Sequence, residues 1–127
     1  MKKILILLSF IVSTNVMAEW TAVGNAGVSV YSDFGTINRI GNKVKIWSLL
    51  DYKTVKKVGS YRFLSQMMRF EYDCEEETTR LLDAYSYSGN MRQGETVYSD
   101  ANIKREAESI VPESIEDTLF KIACSKK

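Results

Sequence analysis

Cys74 and Cys124 are the only cysteines in this chain of 127 residues. What they can do depends on the compartment, and the N-terminus reads as an address. Lys2 and Lys3 precede an apolar run from Ile4 to Val12, broken only by Ser9, and Ser13-Thr14-Asn15 then leads to Val16-Met17-Ala18. A basic start, a short apolar core and small or modest residues before a cut are the parts of a signal peptide. That core is less than half of the roughly 20 residues a membrane-spanning helix needs. Cleavage is expected between Ala18 and Glu19. The new N-terminus would be Glu19 and not a cysteine, so the bacterial lipoprotein route is not expected. The product is expected in the periplasm or secreted, without a lipid anchor. In an oxidising compartment, two cysteines in a small domain most often close one disulfide. Cys74 with Cys124 is then the single intramolecular pairing, with an intermolecular bridge or reactive thiols as the alternatives.

Composition excludes more chemistry than it suggests. The absence of histidine removes Ser-His and Cys-His nucleophile pairs and histidine-ligated zinc. Two thiolates are too few for a four-cysteine metal site. Without Lys2 and Lys3, 15 basic residues face 16 acidic ones, a net charge of −1, which argues against a nucleic-acid binder. A hydrophobic share of 45% suits a folded globule. Residues 19–127 are expected to form one domain, and no stretch after the leader is long enough to span a bilayer.

Most of that domain reads as strand. Glu19 to Val23 and Val28 to Ser32 flank a Gly24-Asn25-Ala26-Gly27 turn and resemble a hairpin. Asp33-Phe34-Gly35 is expected to break the second strand, and Gly41-Asn42 to make the next turn. In Lys43–Tyr52, Val44, Ile46, Ser48, Leu50 and Tyr52 share one parity, while Lys45, Trp47, Leu49 and Asp51 share the other. A Gly59-Ser60 break opens a long strand from Tyr61 to Cys74. Glu75-Glu76-Glu77 marks a turn, Thr78 to Ser88 returns, and Glu95 to Tyr98 reads as a last strand. Residues 99–110 are polar and give no clear pattern.

The end of the chain changes period. Ser114 stands three residues before Asp117, a variant of the capping box, and Ile115, Leu119, Ile122 and Ala123 form one helical stripe. A helix of about three turns is too short to be stable alone in water and must dock on the sheet, where Cys124 is placed to pin it to Cys74. The expected fold is α+β: a twisted antiparallel sheet of about six strands, with a C-terminal helix on one face tethered by a disulfide.

Chemical motifs are sparse. Glu75-Glu76-Glu77 lacks the alternating oxygen ligands and glycine turn of a calcium loop and reads as a solvated hairpin tip. Arg62, Arg69, Arg80 and Arg92 differ in parity and read as scattered charge, not as a patch for acidic glycans. Ser88-Gly89-Asn90 is a turn and lacks the preceding glycine of a nucleophile elbow. No catalytic, cofactor or metal residues are expected.

Taken in order, several segments resemble the surface-adhesin protein E family. They are Trp20 with Val23, Val30-Tyr31, Gly41-Asn42-Lys43-Val44-Lys45-Ile46-Trp47 with Asp51-Tyr52, and the strand from Phe70 to Cys74. Arg80-Leu81-Leu82, Tyr87-Ser88-Gly89 and the ending from Val111-Pro112 to Ala123-Cys124 complete the set. The resemblance implies an antiparallel sheet with a helix on its concave side, held by a disulfide. It also implies a bacterial surface adhesin that binds host matrix and serum proteins such as vitronectin and laminin. A small periplasmic inhibitor of the lysozyme-inhibitor type, or an envelope-stress protein, fits the same size and export signal.

If Cys74 faces the helix, Leu64, Met68, Phe70 and Tyr72 do so too. The other parity still carries Phe63 and Met67, and the neighbouring strand carries Trp47 and Leu49. Such a cluster, with Arg69 as its polar rim, marks an expected contact surface for a protein partner or a homodimer. A bulge that swaps parity, or curvature that buries both faces, is the competing reading.

Overall fold

Turn chemistry sets the frame. A computed structural model of the chain describes residues 20–25 and 28–125; the expected leader and the Ala18–Glu19 junction lie outside them. The first strands are β1 (Trp20–Asn25), β2 (Ser29–Ile40), β3 (Lys43–Val58) and β4 (Tyr61–Asp73). Gly41 and Gly59 open the two-residue loops on either side of β3 with φ of 61° and 60°. That is the first central position of a type II′ hairpin, where glycine alone is unstrained. β5 (Thr78–Tyr87), β6 (Thr96–Asp100), β7 (Glu108–Ser109) and the helix α1 (Ile115–Ser125) follow.

The strands form an antiparallel sheet in sequence order from β1 to β6. The far edge of β5 is shared, with β6 pairing Ala84–Tyr87 and β7 pairing Thr78 and Thr79. The polar segment that gave no pattern therefore supplies the end of β6 and the whole of β7.

Two extents differ from the sequence reading. Asp33-Phe34-Gly35 does not end β2, which runs on to Ile40 with a register shift against β3 between Asp33 and Asn38. The Asp33 carboxylate accepts the Gly35 amide at 3.0 Å, and Thr36 Oγ1 donates to the Asp33 carbonyl at 2.6 Å. Thr36 Oγ1 in turn accepts the Trp47 amide at 3.1 Å. Turn-forming side chains here build a bulge, because β3 stays paired on either side of it. β3 likewise continues past Tyr52 to Val58, crossing a second register shift between Asp51 and Lys56.

Residues paired across antiparallel strands share a face, so the ladder sorts the side chains. Val44 opposes Tyr72, and Ile46 opposes Phe70. Val28, Val30, Val44, Ile46 and Tyr72 make the core that Leu119 and Ala123 of α1 cover, flanked by Phe70, Ile115, Phe120 and the cystine. Cys74 and Cys124 are bonded, with Cα atoms 5.7 Å apart. Tyr72 is fully buried, and its hydroxyl pKa is driven up by burial and by Glu116, so it stays protonated at any physiological pH.

The helix start matches its capping signature. Ser114 Oγ accepts the Asp117 amide at 3.1 Å, and the Asp117 carboxylate accepts the Glu113 amide at 3.0 Å while lying 3.2 Å from Lys121 Nζ. The Glu113 hydrogen bond, then Lys121, holds the Asp117 pKa below the ordinary carboxylate value. Its contribution to the fold is complete above that ordinary value and fades as pH falls through the depressed one.

Candidate binding surfaces

The face opposite the helix is read from the same ladder. Asp33, Trp47, Arg69 and Asp83 lie in one cross-strand row; Tyr31, Leu49, Met67 and Tyr85 lie in the next. Trp47 and Tyr85 have ring centroids 6.0 Å apart, and the Arg69 guanidinium sits 5.5 Å from the Trp47 ring centroid. Arg69 Nε donates to Asp83 Oδ2 at 2.5 Å, and Asp83 Oδ1 accepts the Asn102 amide at 3.2 Å. Asp83 is buried, so this pair also neutralises a carboxylate withdrawn from water. Trp47, Met67, Arg69 and Tyr85 are half-buried, and the helix packs on the other side of the sheet.

Two residues expected on this surface are not available to a partner. Leu49 is 0% exposed: it sits mid-row between Tyr31 and Met67, where neighbouring side chains close over it. The next row, Asp51, Ser65 and Tyr87, lies under the loop at Asn90–Arg92. There Asp51 Oδ1 accepts the Met91 amide at 2.8 Å, and Ser65 Oγ accepts the Arg92 amide at 3.0 Å while donating to the Gly89 carbonyl at 2.7 Å.

Phe63 is 5% exposed and has left this face altogether. Its ring meets Tyr52 edge to face at 5.8 Å, and it shares a cavity with Gln66 and Ser86. Those residues belong to the helix side of the ladder, with Leu50 and Val30. The register shift after Asp51 swaps the parity of β4 near Phe63, as the competing reading allowed. Trp47, Met67 and Arg69 remain together on one face.

Sequence reasoning missed a second surface. Val58, Tyr61, Phe63, Gln66, Ser86 and Tyr98 line a cavity of about 250 Å³ at the end of the helix face that α1 leaves uncovered. Tyr61 and Tyr98 meet edge to face at 5.5 Å and are 44% and 38% exposed, with Val58 61% exposed. Tyr52 Oη donates to Gln66 Oε1 at 2.8 Å, and Gln66 Nε2 donates to Ser86 Oγ at 3.1 Å. β3 and β6 are far apart in sequence and only the sheet joins them. The one signal in the chain is the apolar pair Val58 and Tyr61 on the tip of a hairpin.

Two acidic side chains near the β4–β5 turn have local partners. Glu71 pairs with Arg80 at 2.9 Å, and Asp73 Oδ1 accepts the amides of Glu75 and Glu76. Glu75, Glu76 and Glu77 are exposed at the β4–β5 turn. Among the described residues no group of histidine, cysteine or acidic side chains is arranged to hold a metal ion, and no helix is long and apolar enough to cross a membrane.

A sequential antiparallel sheet with one disulfide-held helix on it is a fold that solved structures share. The solved structures it matches include Haemophilus influenzae protein E in crystal form II, with TM-score 0.66 and 16% identity, covering 88% of this chain and 91% of that one. A selenomethionine form of the same protein gives 0.65 at 16% identity, over 89% and 91% of the two chains. Protein E from non-typeable Haemophilus influenzae gives 0.62 at 16% identity, over 88% and 79%. At that identity the likeness speaks for the fold. No curated protein matches the sequence. The family model for surface-adhesin protein E matches residues 20–125, and the chain belongs to that family of adhesin-like proteins.

Proposed function

We propose that this chain is an exported bacterial adhesin-like protein that binds a host matrix or serum protein through the Trp47–Met67–Arg69–Tyr85 face. One observation carries the choice of face: an aromatic row, with an arginine stacked on its tryptophan, lies on the side of the sheet away from the helix. Tryptophan, tyrosine, methionine and arginine are the types enriched where proteins meet. Asp83 fixes the Arg69 guanidinium, so less side-chain entropy is lost on docking. Self-association would use the same face.

The test is a double variant, Trp47→Ser with Met67→Ser, offered to immobilised pools of host serum and matrix proteins that include vitronectin and laminin. It is expected to keep a cooperative unfolding transition and to lose at least tenfold in affinity, or in dimerisation if the parent is dimeric. A monomeric parent whose double variant does not fold would place both residues in the core and remove the patch.

The reading also carries a processing expectation. Intact mass of protein from a bacterial periplasm should correspond to a chain beginning at Glu19 with no added acyl mass. A product that keeps residues 1–18, or one carrying lipid, contradicts it.

A further inference from the structure

The polar floor of the Tyr61–Tyr98 cavity has hydrogen-bond donors left over. Tyr52 Oη donates to Gln66 Oε1, and Gln66 Nε2 donates to Ser86 Oγ, so the relay runs one way and ends at Ser86. Ser86 is 2% exposed, and its own proton meets no acceptor among the described residues. A donor buried without a partner is costly. The Gln66 amide carries a second N–H that is likewise unspent on the protein. Both groups lie in the cross-strand row Gln66–Ser86–Tyr98 and line the cavity. An occupant that brings oxygen acceptors to this floor would satisfy them.

The walls are apolar and the lining bears no charge. Val58, Tyr61, Phe63 and Tyr98 supply them, and the Tyr61 and Tyr98 rings meet at 64°, which makes a corner and not a stack. The negative face of an aromatic ring suits the C–H bonds of a sugar ring. Charges at the rim disfavour ions of either sign. Lys56 opposes Phe63 in the ladder and lies over the Tyr52 ring, where it repels a cation. Tyr98 Oη donates to Asp100 Oδ2 at 3.3 Å, and Asp100 raises the Tyr98 pKa more strongly than Arg105 lowers it. An anion would meet that carboxylate and find no cation in the lining. At about 250 Å³ the cavity is smaller than those that enclose drug-sized ligands and suits a single pyranose ring. A purely apolar side chain would fill the walls but leave the floor donors unpaired.

We propose that the Tyr61–Tyr98 cavity binds one neutral hexose unit of a glycan. Its C–H face lies against the tyrosine rings, and its hydroxyl oxygens accept from Ser86 Oγ and Gln66 Nε2. The site is on the helix side of the sheet, away from the Trp47 face, and does not depend on docking there.

The experiment is an amide NMR titration of the oxidised chain beginning at Glu19. The probes are methyl β-glucoside and methyl β-galactoside, each beside its own uronide, and p-cresol as a stand-in for a partner's tyrosine side chain. At least one neutral glycoside is expected to give saturable shifts centred on Gln66, Ser86 and Tyr98. Its uronide should bind at least tenfold more weakly, because the carboxylate has no partner in the site. Ser86→Ala, which keeps the shape of the floor, should weaken the sugar roughly threefold to tenfold. Tyr98→Ala, on the exposed edge strand β6, should weaken it several-fold and decides the matter if Ser86→Ala fails to fold. Trp47→Ser with Met67→Ser should take up the sugar like the parent, so protein-partner binding is scored separately. The proposal is overturned if neither neutral glycoside shifts these amides, or if a uronide binds as tightly as its glycoside. It is equally overturned if folded Ser86→Ala or Tyr98→Ala binds like the parent. Uptake of p-cresol in place of both glycosides would assign the cavity to an apolar side chain and overturn it too.

Discussion

Replacing both cysteines, Cys74→Ser with Cys124→Ser, is expected to lower the unfolding free energy by roughly 4 kcal/mol. The bond closes a loop with a sequence separation of 50, and restricting the unfolded chain over such a loop is worth about that much in the chain-entropy model. Against a total of roughly 5–15 kcal/mol for a small domain, the loss is a large share. Denaturant titration of oxidised, reduced and doubly substituted protein measures it. Reduction and substitution should shift the midpoint alike, and the unfolded, non-reduced monomer should show no reactive thiol. An unchanged midpoint would mean that the helix needs no tether.

Leu119→Ala is the second large effect, at about 2–5 kcal/mol for emptying a site that the surrounding core cannot refill. Leu119 is 2% exposed and packs with Ala123 into Val30, Val44, Ile46 and Tyr72. An eleven-residue helix has little stability of its own, so its docking rests on such contacts. In the oxidised protein the helix would stay tethered by Cys124, and the loss should read as weaker packing around Tyr72 without separation of the helix. Combined with removal of the disulfide, the two losses should not add, because both act on the same docked element. Strict additivity would show that helix and bridge stabilise different parts of the molecule.

How far the residues foretold this molecule depends on the range over which each signal acts. The Ser114–Asp117 cap, the Leu119 stripe and the glycine turns at Gly41 and Gly59 are local, and each formed as read. Cys74 and Cys124 were legible because only one intramolecular pairing exists. Asp33-Phe34-Gly35 misled because the same side-chain hydrogen bonds that end a strand can also hold a bulge inside one. Strand pairing on both sides decided which. Strict alternation placed Leu49 and Phe63 on an open surface. It failed at Phe63, where the ladder slips between Asp51 and Lys56, and at Leu49, where its row neighbours and the Asn90–Arg92 loop close over that end of the face. The Tyr61–Tyr98 cavity joins strands 37 positions apart in sequence, and nothing local announces such a meeting.

The central claim is that a protein partner docks on the Trp47 face. The most direct measurement is titration of one purified host protein, captured by the parent chain, against two forms of this chain: the parent, and Trp47→Ser with Met67→Ser. The parent is expected to bind, and the double variant to lose at least tenfold in affinity while remaining folded. A folded Trp47→Ser, Met67→Ser variant that binds as tightly as the parent would contradict it.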